Sequence, residues 1–168
     1  MSRFAFRHGD RNYPFFWERA NQPAARWHAP GEGPVQYLAD TPDGAWAEFV
    51  RHEEITDPED LAGVARRLWV IEVPEDIDRA RIPQLGEAEL LGGPATYATC
   101  QAEARRLRSE GADAMVAPSA ALLPDGASGQ FTNGGLKEAP SRDGVVWVLF
   151  GPRPNLRGWA AMDAGAPL

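Results

Sequence analysis

Residues 35–54 read VQYLADTPDGAWAEFVRHEE, and the hydrophobic period changes within them. Val35–Ala39 alternates apolar and polar residues, the pattern of a half-buried strand. Asp40-Thr41-Pro42 then marks a helix start, with Thr41 as N-cap, Pro42 in the first helical position and Asp43 at the positive end of the dipole. The spacing predicts a helix from Pro42 to about Glu53, with Trp46, Phe49 and Val50 as its core stripe. Glu48 lies two positions from Trp46, about 200° round the axis. It therefore faces solvent or a cleft.

Working outward, residues 1–14 show no clear period and read as an irregular arm or short edge strand. Phe15–Arg19 has the aromatic content of a strand, and Pro23, Pro30, Gly31 and Gly33 surround a short extended piece at Arg26–His28. Downstream, a short acidic helix follows Thr56-Asp57-Pro58, and Leu68–Val73 reads as a buried strand closed by Pro74. Residues 75–95 are loop-rich, with Ile77–Ile82 extended. Thr96–Glu110 is the clearest second helix, carrying Tyr97, Cys100, Ala104 and Leu107 on one face and stopped by Gly111. A strand at Asp113–Ala117 ends at Pro118-Ser119, residues 124–144 form a long loop, and Val145–Phe150 is a buried strand before a Pro/Gly-rich tail. This order predicts one mixed α/β domain of the α+β class over residues 1–168, its core at about 14–150. A doubly wound parallel sheet is the alternative, but no G-x-G-x-x-G follows a strand.

Composition narrows the function. The chain has 168 residues, 43% of them hydrophobic, and a net charge of −7. That balance argues against sequence-independent nucleic-acid binding, which draws its affinity from a basic face. It leaves room for a local arginine pocket and an anionic small ligand. Only Lys137 among the basic residues is a lysine. No run reaches the length of a membrane span, and no signal-like apolar stretch follows the N-terminus. The single cysteine, Cys100, suits a reducing compartment, so a cytoplasmic location is expected. His8, His28 and His52 do not fall at metal-ligand spacing, and neither a metal nor a bound cofactor is expected.

Arg26, Tyr37 and Glu48 lie eleven and eleven residues apart, with Arg19 before them and Ser119 after. Taken singly, each has a plain structural reading. Glu48 can be a solvated helix residue, Tyr37 a packing residue, Arg19 and Arg26 surface charges, and Ser119 turn chemistry. Together, guanidinium, phenol and carboxylate are the groups that hold a dinucleotide and stabilise a ribosyl cation. Trp17 and Trp27 flank the two arginines and could stack on rings, whereas Trp46, Trp69 and Trp147 read as core.

In order and context, FWERANQPAARWHAPGEGPVQYLADTPDGAWAE and the later DAMVAPSA resemble the RES domain, over roughly residues 14–123. Ala25 stands where the family commonly has glycine, and the loop after Ser119 is long and lacks the compact Gly-Asn turn that the resemblance leads one to expect. The resemblance implies a fold similar to ADP-ribosyltransferases, with split sheets that clasp NAD. It also implies an NAD-consuming toxin that hydrolyses or phosphorolyses NAD, or transfers ADP-ribose. Glu48, Tyr37 and Arg26 would then be catalytic, with Arg19, Arg26, Tyr37 and Ser119 binding NAD. The partners it implies are NAD as substrate, an antitoxin of the Xre helix-turn-helix kind, and a second copy in a homodimer. Neither nucleic acid nor a membrane is among them. A catalytically silent nucleotide- or peptide-binding module is the alternative from another class.

Overall fold

The run VVWVLF forms a strand, β7 (Val145–Phe150), that is covered on both faces and paired on both edges. In the computed structural model, which describes residues 3–73 and 75–165, its neighbours are β2 (Val35–Ala39) and β4 (Ala114–Pro118). The ladders run from Val35↔Phe150 to Ala39↔Val146 and from Ala114↔Leu149 to Pro118↔Val145. Period-2 alternation sends Val146, Val148 and Phe150 into one core with Trp27, Val35, Met115, Cys100, Ala104 and Leu107. Leu149 goes to the opposite core with Ala5, Phe16, Leu38, Ile71, Val73 and Ile77. A strand buried on both faces has no polar side to show, which is why its sequence is continuously apolar.

Three further strands complete a six-stranded sheet in the order β4-β7-β2-β1-β3-β8, where β1 is Arg3–Gly9, β3 Arg66–Val73 and β8 Gly158–Gly165. All strand pairs are antiparallel, which excludes the doubly wound parallel alternative. The fold class is α+β. The middle of the sheet is its thinnest join. Between β1 and β3 the ladder runs continuously from Arg3↔Val73 to Gly9↔Arg67, whereas β1 meets β2 at Phe6↔Ala39. The sheet thus approaches two three-stranded halves.

Helix α1 (Pro42–His52) lies across this seam. Thr41 caps it, accepting the Gly44 N–H at 3.0 Å. Trp46 packs its ring 5.1 Å from His8 of β1, and a Cβ on Gly44 would sit 3.2 Å from Ala39 of β2, so glycine lets the helix come down on the sheet. The buried residues of α1 are Gly44 and Ala45. Trp46, Phe49 and Val50 are half-buried instead of forming the expected core stripe, with Arg66 stacked 4.4 Å from the Phe49 ring. Helix α3 (Tyr97–Ser109) is buried through Cys100, Ala104 and Leu107 and ends at Gly111, whose φ of 84° suits glycine.

Several expectations are corrected. The N-terminal arm is the interior strand β1, its period masked by Arg3, Arg7 and His8. Phe15–Arg19 is irregular: Phe16 enters the core, while Trp17 is held by a side chain in place of a ladder. The buried Gln36 amide accepts the Trp17 N–H at 3.0 Å and donates to its carbonyl at 2.7 Å. The short acidic helix expected after Asp57 is present as a 3₁₀ helix, Pro58–Leu61. Glu75–Arg79 is also a 3₁₀ turn, so Ile77–Ile82 is not extended, and α2 (Glu87–Leu91) falls in the stretch read as loop. The 124–144 loop contains a hairpin, β5 (Gln130–Thr132) with β6 (Leu136–Glu138), and the tail supplies β8. Trp27 is in the core and cannot stack on a ligand, while Trp17 is exposed. Pro74 lies outside the described residues. Among those described, no helix is long and apolar enough to cross a membrane.

Candidate active site

Tyr37 reaches the 25–28 segment from the middle of β2. Its hydroxyl oxygen accepts the Trp27 N–H at 3.1 Å and lies 2.9 Å from His28 Nδ1. His28 Nε2 faces the Pro23 carbonyl at 2.8 Å, so Nε2 carries the proton and Nδ1 accepts from Tyr37. Burial holds His28 below its ordinary pKa and pushes the Tyr37 phenol above its own, so both stay neutral. The phenol is therefore a tether. It fixes the segment that carries Arg26.

Glu48 projects from α1 to the end of β4. Its Oε1 accepts the Ser119 hydroxyl at 2.8 Å, and Oε2 takes no hydrogen bond from the described residues. Burial raises its pKa, opposed by the Ser119 hydrogen bond and by the charges of Arg51, Arg26 and His52. Ser119 is buried, and its Oγ also accepts the Ala121 and Leu122 N–H groups at 3.3 and 3.1 Å. The turn chemistry expected there and the approach to Glu48 are one arrangement. Gly144 closes on it from the start of β7: its carbonyl accepts the Ser119 N–H at 2.9 Å, and a Cβ there would lie 2.8 Å from Leu122.

Arg26, from the segment after Pro23, and Arg51, from the last turn of α1, meet at one carbonyl. Arg26 Nη1 donates to the Glu89 carbonyl at 3.1 Å and to Thr96 Oγ1 at 3.3 Å, while Nη2 donates to the Gly92 carbonyl. Its guanidinium also lies 4.9 Å over the Tyr97 ring. Arg51 Nη2 donates to the same Gly92 carbonyl at 2.8 Å, and Nη1 donates to the Ala120 carbonyl beside Ser119. Arg26, Arg51, Ser119 and Glu48 thus form one connected network, with Tyr37 tethering its first member. Arg19 is exposed and outside it, making no hydrogen bond or salt bridge among the described residues. Sequence reasoning missed Arg51. The available signal was its position one turn after Glu48 on the same helix. A hollow of about 740 Å³ lies elsewhere, between Asp43 and the β5–β6 hairpin. Asp125 and Glu138 also line it, which makes it a poor host for an anion.

The family model for the RES domain matches residues 3–135. The chain belongs to the RES domain family. The match takes in every residue of the network. The RES chain is 44% identical over 62 residues to Toxin Res of Pseudomonas putida, covering 37% of this chain and 41% of that protein. It is 35% identical over 103 residues to a probable NAD(+) phosphorylase of Mycobacterium tuberculosis, covering 58% and 48%. It thus spans less than half the length of either relative. Its fold is similar to a chain in the crystal structure of the M. tuberculosis MbcT–MbcA toxin–antitoxin complex, with a TM-score of 0.59, 18% identity, and coverage of 97% of this chain and 86% of that one. Among the described residues, no three His, Cys, Asp or Glu side chains converge as a metal site.

Proposed function

We propose that this RES domain consumes NAD by breaking the bond between nicotinamide and ribose. The observation that carries this reading is Glu48: a half-buried carboxylate held by Ser119, with one oxygen unclaimed, in the field of two arginines. Departure of nicotinamide leaves an oxocarbenium-like ribose, as in glycoside cleavage. The ionised Glu48 stabilises that charge, and its open Oε2 accepts a ribose hydroxyl. Tyr37 offers its ring to the nicotinamide, Arg26 grips the phosphate or ribose, and Arg19 meets the dinucleotide at the rim. Ser119 acts through Glu48, because its hydroxyl proton is already committed there. The electron pair of the broken bond leaves with nicotinamide, and the acceptor then attacks C1 of the ribose. Water, phosphate and a protein side chain are all competent acceptors; the name of the mycobacterial relative favours phosphate.

The similarity to Toxin Res and to a toxin–antitoxin complex supports an antitoxin partner, which would silence the enzyme in the cell. The decisive experiment incubates purified protein with NAD, with and without phosphate, and follows nicotinamide by chromatography. Release of nicotinamide is expected. Intact NAD under both conditions, with no ADP-ribose on any lysate protein, leaves a silent binding module instead. Expression alone should arrest growth, relieved by Glu48→Gln or by the antitoxin; harmless expression of an active protein breaks the toxin reading only.

A further inference from the structure

Two guanidiniums share one neutral oxygen, since Arg26 Nη2 and Arg51 Nη2 both donate to the Gly92 carbonyl. Neither arginine has a carboxylate salt bridge among the described residues. The carboxylate that feels both charges, Glu48, is bonded to Ser119 instead. A carbonyl dipole offsets two like charges poorly, so the pair favours an anion at the position that Gly92 now fills. Bonds outside the 89–92 backbone anchor them: Arg51 to the Ala120 carbonyl, and Arg26 to Thr96. Gly92 is the acceptor common to both. The segment bearing it borders an open hollow of about 560 Å³ lined by Glu87, Ala88, Leu91 and Gly92.

We propose that Arg51 joins Arg26 as a receptor for a phosphate group, which the Gly92 carbonyl holds closed in the free protein. A phosphate oxygen replaces that carbonyl and takes two charge-assisted hydrogen bonds from the converging forks. The source is either the pyrophosphate of the dinucleotide or an inorganic phosphate acceptor; only this identity rests on the NAD reading.

Calorimetric titration of inorganic pyrophosphate and orthophosphate into the intact protein tests the receptor without turnover. Arg51→Gln should weaken binding by about tenfold to a hundredfold, the loss expected of a hydrogen bond to a charged group. Arg51→Lys, which keeps the charge but not the fork, should lose less and decides the matter where the Gln variant does not fold. Binding unchanged in both variants, or no binding of either anion by wild type at millimolar concentration, overturns the proposal. NAD cleavage by the same preparations separates the sources: a raised KM for phosphate alone marks the acceptor, and a raised KM for NAD without phosphate marks the pyrophosphate. Anion binding that depends on Arg51 in a protein inert toward NAD leaves the receptor standing and sinks the NAD reading. Turnover with anion binding indifferent to Arg51 does the reverse.

Discussion

Ser119→Ala is the substitution that most directly tests how Glu48 is set for its work. Ser119 Oγ donates to Glu48 Oε1 at 2.8 Å, while burial pushes that carboxyl upward and the neighbouring positive charges hold it down. A hydrogen bond to a charged group contributes about 1.5–3 kcal/mol. The neutral carboxyl also gains something from the serine, so only part of that energy separates the two protonation states, and its sign is to lower the Glu48 pKa. Without the hydroxyl, burial prevails and the Glu48 pKa rises further. In the proposed mechanism the ionised form does the chemistry, so the acid limb of kcat/KM should move to higher pH while the plateau survives. The stability sign follows. A carboxyl whose folded pKa exceeds its unfolded value favours folding below the unfolded pKa, and that contribution is lost as pH rises through the folded pKa. The variant is therefore destabilised most at neutral and alkaline pH. The Ala121 and Leu122 N–H groups also lose their acceptor, costing about 1–3 kcal/mol at all pH values. Nicotinamide release from pH 4 to 9, read beside melting curves, measures both effects. Superimposed acid limbs in a folded variant would refute the coupling. A lowered plateau with an unmoved limb would place Ser119 on the substrate instead.

Glu48→Gln should abolish turnover, with Tm close to that of wild type, because the side chain belongs to neither core cluster. Tyr37→Phe keeps the ring but frees the Trp27 N–H and His28 Nδ1, so unfolding in denaturant should show a loss of about 1–3 kcal/mol; its KM for NAD should rise more than its kcat falls. Gly92→Ala would place Cβ 2.5 Å from the Ala88 carbonyl oxygen and 2.4 Å from Thr96 Cγ2, displacing the carbonyl that both arginines hold. Hydrogen exchange should quicken across residues 86–96 as a result. His8 is buried and its pKa is pushed down to about 4, first by desolvation and then by Arg66. Its contribution is full above the unfolded value near 6.5 and lost as pH falls toward 4. Acid unfolding should accordingly flatten over that window in His8→Leu, leaving the same-signed part from His28.

What the sequence discloses of this fold is whatever side-chain pattern alone determines. VVWVLF, VQYLA, the Thr41-Pro42 cap and the Gly111 stop are local signals, and the strands and helices stand where those signals fall. Strand β1 was illegible because its identity comes from partners on both sides, while its polar side chains break the alternation. The tail was illegible for a related reason: β8 is a strand because β3 offers it an edge, with register shifts between Arg66 and Trp69 that no period in GWAAMDAG announces. The Phe15–Arg19 run shows the converse. Its aromatics suggested a ladder, and the Gln36 amide supplies those two hydrogen bonds from a single side chain.

The site follows the same division. Glu48 was legible as off-stripe on its helix, and Ser119 as a turn former, but nothing in the spacing of residues 71 positions apart shows that one bonds the other. That contact exists because α1 packs over β1 and β2 while Ser119, just past β4, is held by its N–H to the Gly144 carbonyl at the start of β7, the neighbour of β2, a consequence of topology. Arg51 shows what residue-by-residue comparison leaves out. A solvated-helix reading fits its neighbours Glu53 and Glu54, which are exposed, yet Arg51 turns inward to the Ala120 and Gly92 carbonyls. With Arg26 it leaves two cations on a carbonyl oxygen. The geometry of this cluster thus depends on the 89–92 backbone carbonyls as much as on the residues that resemble the family.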